Sequence, residues 1–316
     1  MSLKILILTD GKMGDLMQCR GVAEALTDST NITEQVINPD FLHSLPLPYM
    51  TVQSSDKEGK RGSPFEHPFP DIVIASGRRT APYLRYFKRL RGSEKKPFTV
   101  FLKNPQLNRA EIDFIWTPTH DNLSGENIFS TPTSPHTLSK ARLKQAKKVH
   151  RFDGFESPCA GIILGGNSKS LVWSEDTIAS YAKCLSHIPL DTSILITASR
   201  RTPDTLKSAV VDAFKNHKTW SWDSYGENPY MEILAHADRL IITGDSHNMV
   251  SEALATGKPV HVFRPPGLHK KLVSFLDGLE QGGLIENATN GFERTTSKPI
   301  DATPIIAAEV MKRFKA

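Results

Sequence analysis

Only 3 cysteines stand among the 316 residues, at Cys19, Cys159 and Cys184. They are too few and too scattered for a disulfide framework or a zinc site, and a reducing compartment follows. No apolar run approaches the length needed to cross a bilayer. A secretory signal is not expected either, because a core strand already begins by the third residue. The expected chain is soluble and cytoplasmic, or at most peripheral to a membrane. Charge of one sign is also in short excess. The 39 Lys and Arg against 34 Asp and Glu leave a net +5, spread in pairs such as Arg78-Arg79, Lys147-Lys148, Arg200-Arg201 and Lys270-Lys271. Scattered pairs suit a phosphate-bearing ligand or an acidic membrane surface as well as nucleic acid, while any one pair is explained as solvated surface charge.

Hydrophobic residues make up 39% and charged residues 23%, the balance of a globular protein with a sizeable core. The length suggests two domains of about 150 residues each. Lys4 to Thr9 is apolar on both faces, the mark of a strand buried in a parallel sheet. A helical pattern runs from Leu16 to Leu26, and Ile32 to Ile37 is a further strand. Pro39 to Pro70, rich in Pro, Ser, Gly and charge, looks like a long excursion or flexible loop. Strands resume at Asp71–Ala75, Phe98–Leu102 and Phe114–Thr117, and Lys140 to Lys148 is a short basic helix. A second series follows at Ala160–Leu164, Ile194–Thr197, Leu240–Thr243 and Val260–Phe263, with helical segments between. Strands alternating with helices in both halves predict an α/β protein of two doubly wound domains, residues 1–150 and 151–303. The boundary falls near 145–158, where Arg151 to Pro158 is linker-like, and the last helix (304–316) is expected to pack back on the first domain.

In open parallel sheets, ligands bind beyond the carboxyl ends of the strands, so the strand-to-helix turns are the candidates. Asp10-Gly11-Lys12-Met13-Gly14-Asp15 offers two glycines for close backbone approach, a lysine for a phosphate and two carboxylates, Asp10 or Asp15, that could deprotonate a hydroxyl. A tight turn with an Asp cap explains it about as well. Arg78 and Arg79 follow a strand at a helix start, where cations oppose the helix dipole and an anion would offset them. Lys103-Asn104-Pro105 is one more polar turn. Gly165-Gly166-Asn167-Ser168-Lys169 forms a backbone cradle suited to phosphate. Ser199-Arg200-Arg201 stands before Thr202, a natural N-cap, with Pro203 in the first helical position.

Leu240 to Phe263 is the most specific stretch. With Asp245 or Ser246 as cap, Val250, Ala253 and Leu254 form a buried stripe, while Gly257 and Pro259 end the helix. Asn248 and Glu252 fall four apart on one face. Capping leaves Ser246, His247, Asn248 and Glu252 unexplained. A carboxylate one turn beyond an open helix N-terminus suits a nucleotide, with diphosphate on the N–H groups and ribose hydroxyls on Glu252.

Ala237 to Pro259 resembles the donor-nucleotide segment of GT-B glycosyltransferases. The whole chain resembles the mitochondrial fission Elm-type family of bacteria and plants, through the blocks TDGKMGDLMQCRGVAEAL, PDIVIASGRRTAP, LGGNSKSLVW, ITASRRTP, NPYMEILAHAD, TGDSHNMVSEALATGKPV and LHKKLVSFLDGLEQGG. The resemblance implies a GT-B-like fold, two Rossmann-like parallel-sheet domains facing across a cleft, with acceptor bound by the first and nucleotide donor by the second. Carried over by position, Glu252 holds ribose and Ser246, His247, Asn248 and Met249 hold diphosphate. Gly165, Gly166, Asn167, Ser199, Arg200, Arg201 and Asp245 line the donor site. Gly11, Gly14, Arg78, Arg79, Lys270 and Lys271 meet acceptor or phosphate. The first turn lacks the histidine expected as base in related enzymes, so the resemblance does not supply the base; Asp10, Asp15 and Lys12, taken from the turn itself, are the catalytic candidates. No Asp-x-Asp pair occurs, in keeping with GT-B chemistry that needs neither metal nor cofactor.

The leading expectation is therefore a glycosyltransferase that uses a nucleotide diphosphate sugar, with an unknown acceptor, lipid-linked or an envelope glycan, and no nucleic-acid partner. Two alternatives stay open: a non-hydrolysing nucleotide-sugar epimerase, and a non-catalytic protein that recruits partners as in organelle fission.

Overall fold

The structure is a computed structural model that describes residues 3–39, 51–90, 95–106, 108–168, 170–293 and 296–316. It divides into two compact units, Met1–Thr137 with Ala302–Ala316, and Leu138–Asp301. Each holds one six-stranded sheet whose neighbouring strands are all parallel.

The first unit contains β1 (Ile5–Thr9), α1 (Met13–Leu26), β2 (Ile32–Val36), β3 (Ile72–Ser76), α2 (Ala81–Arg89), β4 (Phe98–Leu102), β5 (Phe114–Pro118) and β6 (Ile128–Thr131). The strand order is β2-β1-β3-β4-β5-β6. The two-residue period of a strand sends Ile5 and Ile7 to one face, against Leu16 and Val22 of α1. Leu6 and Leu8 go to the other, against Leu84 and Phe87 of α2. Because both faces are covered, the strands read as unbroken apolar runs.

The second unit contains α3 (Lys140–Ala146), β7 (Cys159–Leu164), α4 (Glu175–Leu185), β8 (Ser193–Ala198), α5 (Asp204–Ala213), β9 (Thr219–Ser221), α6 (Tyr230–His236), β10 (Arg239–Thr243), α7 (His247–Ala255), β11 (Val260–Phe263), α8 (Lys270–Gln281) and β12 (Glu286–Asn287). Its order is β12-β11-β10-β7-β8-β9. Ile162 and Ile196 face α4 and α5 through Tyr181 and Val210. Ile163, Ile242 and Val262 face α7 and α8 through Val250 and Leu276. The closing helix α9 (Thr303–Lys315) lies beside α1 in the first unit, with Ile306 and Val310 in the same core as Ile7.

Reading along each sheet, the chain first winds to one side and then to the other. The reversal falls between β1 and β3 in the first unit and between β7 and β10 in the second. At such a switch point the two connections leave in opposite directions and open a crevice beyond the strand ends.

Three details differ from the sequence-based expectation. The division falls between Thr137 and Leu138 rather than within 145–158, because Leu138 and Leu143 join the core of the second unit beside α6. Phe152, within the expected linker, is buried edge-on to Trp220 at 5.1 Å. In the Pro39–Pro70 excursion, residues 40–50 lie outside the described residues, but Phe65 is wholly buried, its ring 4.6 Å from that of Phe87. That segment also ties to α2, where Tyr83 Oη donates to Asp56 Oδ2 at 2.5 Å.

Candidate functional site

The second unit's switch point is built around Asp245, in the turn after β10. Its Oδ2 accepts from the backbone N–H of Gly166 at 2.9 Å, and its Oδ1 from the hydroxyl of Thr243 at 2.6 Å. Thr243 in turn accepts from the N–H of Gly165 at 2.7 Å. The turns after β7 and β10 are thus laced together. Burial pushes the Asp245 carboxyl up from its ordinary range, against the hydrogen bonds from Thr243 and Gly166 and the charge of Arg201, which pull it down. Both glycines are required sterically. A Cβ on Gly165 would lie 1.9 Å from Asp245 Oδ1, and one on Gly166 would lie 2.2 Å from the backbone carbon of Arg201.

The turn after β8 closes on the same point. The N–H of Asn167 donates to the carbonyl of Arg201 at 3.1 Å, and the Arg201 guanidinium returns a bond to the carbonyl of Asn167 at 3.1 Å. Ser199 Oγ accepts from the N–H of Arg201 at 3.2 Å, and Arg200 is exposed. Thr202 is not a helix cap. Its hydroxyl donates to the carbonyl of Gly165 at 2.5 Å and accepts from the N–H of Ser199 at 2.9 Å, and Pro203 takes the cap position before α5. Lys169 lies outside the described residues.

Ser246 is the N-cap of α7, its hydroxyl accepting from the N–H of Met249 at 3.4 Å. Capping therefore accounts for the Ser246 side chain after all, and Asp245 is released from that duty to hold the glycine turn. His247 and Asn248 occupy the first two helical positions, the His247 ring 4.6 Å from that of Phe275. One turn on, Glu252 Oε2 accepts from the hydroxyl of Tyr230 at 2.6 Å. Burial raises the Glu252 carboxyl, and the Tyr230 bond opposes that rise. Lys270 and Lys271 open α8, both exposed.

The first unit's switch point carries a charged cluster. Asp10 follows β1, and its side chain is 1% exposed; Oδ2 pairs with Lys12 at 2.7 Å, while Oδ1 is buried with no hydrogen bond among the described residues. Asp15, in the first turn of α1, pairs with Lys103 at 2.5 Å. The two carboxylates meet over Gly77, where a Cβ would lie 3.3 Å from Asp15 Oδ2 and 3.4 Å from Asp10 Oδ1. Gly11 and Gly77 have φ of 83° and 90°, which suits glycine. Lys12 itself stands at the N-cap of α1, Gly14 lies inside that helix, and Arg78 and Arg79 are exposed beyond β3. Among the described residues no group of three or more His, Cys, Asp or Glu could hold a metal ion, and no helix is long and apolar enough to cross a membrane.

Four residues of these sites escaped the sequence reading. Lys103, in a polar turn that had suggested nothing sharper, adopts φ 80° and carries the partner of Asp15. Asn228 and Tyr230 lie in the NPY stretch that leads into α6, with Tyr230 as its first residue. A Tyr 22 positions before a carboxylate carries no periodic signal, so only the fold brings Tyr230 to Glu252. Lys258 looked like part of the helix stop, but its ammonium donates to the carbonyls of Leu234 and Ala235 at 2.7 and 2.8 Å, capping α6. Burial lowers its pKa to about 8.

Two parallel-sheet units, each with polar turns at its switch point, define a GT-B-type α/β protein. The fold is shared, at 11% identity and a TM-score of 0.54, with MurG of Acinetobacter baumannii, covering 99% of this chain and 95% of that one. It is shared likewise with the UDP-GlcNAc 2-epimerase of Methanocaldococcus jannaschii, solved with UDP-GlcNAc and UDP, at 15% identity and 0.52, covering 99% of each. The model of the family described as Mitochondrial fission ELM1 matches residues 13–314, and the chain belongs to that family. It is 25% identical to the Mitochondrial fission protein ELM1 of Arabidopsis thaliana over 283 residues, 80% of this chain and 66% of that protein.

Proposed function

We propose that the protein is a GT-B-type glycosyltransferase whose second unit binds the nucleoside diphosphate of a sugar nucleotide. The observation that carries this reading is the arrangement at the second switch point. A glycine turn that cannot bear side chains, the N-terminus of α7 and a carboxylate one turn further on converge at one sheet end. The α7 N-terminus at His247, Asn248 and Met249, with Arg200 and Arg201, meets the diphosphate and the charge that develops on it. Gly165, Gly166, Asn167 and Ser199 form the wall of the cradle, shaped by Asp245 and Ser246. Glu252 accepts from ribose. In the first unit, Asp10 or Asp15 takes the acceptor proton, and Gly11, Gly14, Lys12, Arg78 and Arg79 meet acceptor or phosphate. Lys270 and Lys271 add positive charge beside the donor. The donor is the substrate, and neither cofactor nor metal takes part. The UDP-GlcNAc and UDP of the epimerase structure support a nucleotide sugar as ligand.

Membership in the Mitochondrial fission ELM1 family favours a second reading, a partner-recruiting protein that catalyses nothing. Calorimetry with UDP, GDP, ADP and CDP separates the two. The enzyme reading expects saturable binding of at least one, weakened at least about tenfold in Glu252→Ala with folding intact, the weight of a charge-assisted hydrogen bond. No binding of any of the four at millimolar concentration would leave the recruiting role standing.

A further inference from the structure

Glu252 does not stand alone. Its Oε2 is taken by the hydroxyl of Tyr230 at 2.6 Å, and both side chains are part-buried. Tyr230 is itself tethered. Its N–H donates to Asn228 Oδ1 at 3.0 Å, and the same oxygen accepts from the hydroxyl of Thr197 at 2.7 Å. Asn228 Nδ2 donates to the carbonyl of Ala198 at 3.2 Å. A continuous chain of hydrogen bonds thus runs from the carboxyl end of β8, which carries Ser199, Arg200 and Arg201, through Asn228 and Tyr230 to the carboxylate on α7. Glu252 is fixed relative to the arginine turn rather than to its own helix alone. Burial drives both groups toward their protonated forms, while the bond from Tyr230 favours the charged carboxylate.

We propose that Tyr230 is a positioning residue for ribose recognition: by holding Oε2 of Glu252 it orients Oε1 to accept from the 2′ or 3′ hydroxyl of the bound nucleotide. This rests on the nucleotide-binding reading above. A long acidic side chain without such a partner samples several rotamers, and ordering it on binding weakens the contact it makes. A site that presents its acceptor already oriented rejects a ligand lacking the hydroxyl, because the acceptor is then left unpaired. The alternative is that the pair only fastens α6 to α7. In that case removing the phenolic hydroxyl loosens the unit without regard to what the ligand carries on its ribose.

The test compares the tightest-binding of UDP, GDP, ADP and CDP with its own 2′,3′-dideoxy analogue, by calorimetry on the full chain. Wild type should prefer the parent roughly tenfold to a hundredfold, the range of one charge-assisted hydrogen bond. In Tyr230→Phe the parent should weaken until the preference falls within about threefold, while affinity for the dideoxy analogue stays unchanged. An unchanged preference, or equal weakening of both ligands, overturns the proposal while leaving the nucleotide site intact. Absence of binding to wild type by all four parents overturns the nucleotide reading first, and this proposal with it. Should circular dichroism show Tyr230→Phe unfolded, Asn228→Ala cuts the tether with both Tyr230 and Glu252 in place. The same collapse of preference is expected there, and its absence is equally decisive.

Discussion

Asp245 and Gly165 stand so close that a side chain on the glycine is excluded: a Cβ there would lie 1.9 Å from Asp245 Oδ1 and 2.1 Å from Oδ2. The contact joins the turns after β7 and β10 at the sheet reversal, and the three nearest atoms in the way all belong to the Asp245 side chain.

That detail makes the cost of Gly165→Ala conditional. Overpacking should destabilise the protein by about 1–3 kcal/mol, and Asp245→Ala should relieve part of it by removing the clashing carboxylate. A double-mutant cycle read from denaturation midpoints should therefore show a favourable coupling of about 0.5 kcal/mol or more. Gly166→Ala is the control, since its Cβ would meet the backbone of Arg201 at 2.2 Å. Its loss should not be recovered by Asp245→Ala. Additive losses for the Gly165 pair would mean that the turn does not close on Asp245.

Glu252→Gln carries a pH signature. Burial raises the Glu252 carboxyl above its value of 4.5 in the unfolded chain. The folded state then binds the proton more tightly, so wild-type stability falls as pH rises from about 4.5 through the folded pKa and levels off above it. Gln keeps an oxygen for the Tyr230 hydroxyl and does not titrate. Thermal midpoints of variant and wild type should converge at acid pH and separate in favour of the variant as pH rises to 7.5. A gap that is constant across this range would mean that the carboxyl is not raised.

How far these sites were legible in the sequence depends on what makes each residue distinctive. Strands buried on both faces announce themselves as apolar runs, so Phe98–Leu102 and Val260–Phe263 could be read to the residue. β6, β9 and β12 could not, because edge strands such as Thr219–Ser221 are short and partly polar. Glycines at the strand ends marked the turns, but not which neighbour makes them obligatory. Ser246 looked like a surplus polar group only because the sequence could not decide whether it or Asp245 capped α7. Tyr230 and Lys103 were illegible in role, since each acts on a carboxylate brought near by topology rather than by spacing.

Gly77 supplies the matching test in the first unit. Its φ of 90° and the approach of both Asp10 and Asp15 penalise a side chain twice, whereas among the described residues nothing lies within 4 Å of the Cβ position of Gly11, at φ 83°. Gly11→Ala should cost about 1–2 kcal/mol, the strain of a left-handed alanine, and Gly77→Ala measurably more. Asp15→Ala should shrink the difference between the two, because it clears one of the two carboxylates. Equal costs in chemical denaturation would show that the carboxylates do not meet over Gly77.

The last prediction concerns the segment whose composition looked like a loop. Phe65 is wholly buried, packed edge-on to Phe87 at 4.6 Å and tilted against Tyr86 at 4.4 Å. A flexible excursion would tolerate its loss; a core residue would not. Phe65→Ala should destabilise the protein by about 3–5 kcal/mol, the combined loss of transfer energy and of packing around the cavity. Glu58→Ala, in the same stretch but in contact with the His67 ring at 3.0 Å and with both side chains about 40% exposed, should stay within about 0.5 kcal/mol of wild type. Denaturant titration of the two variants side by side distinguishes a segment anchored by one aromatic from one that contributes nothing. If Phe65→Ala is as silent as Glu58→Ala, the packing of this segment on α2 is wrong.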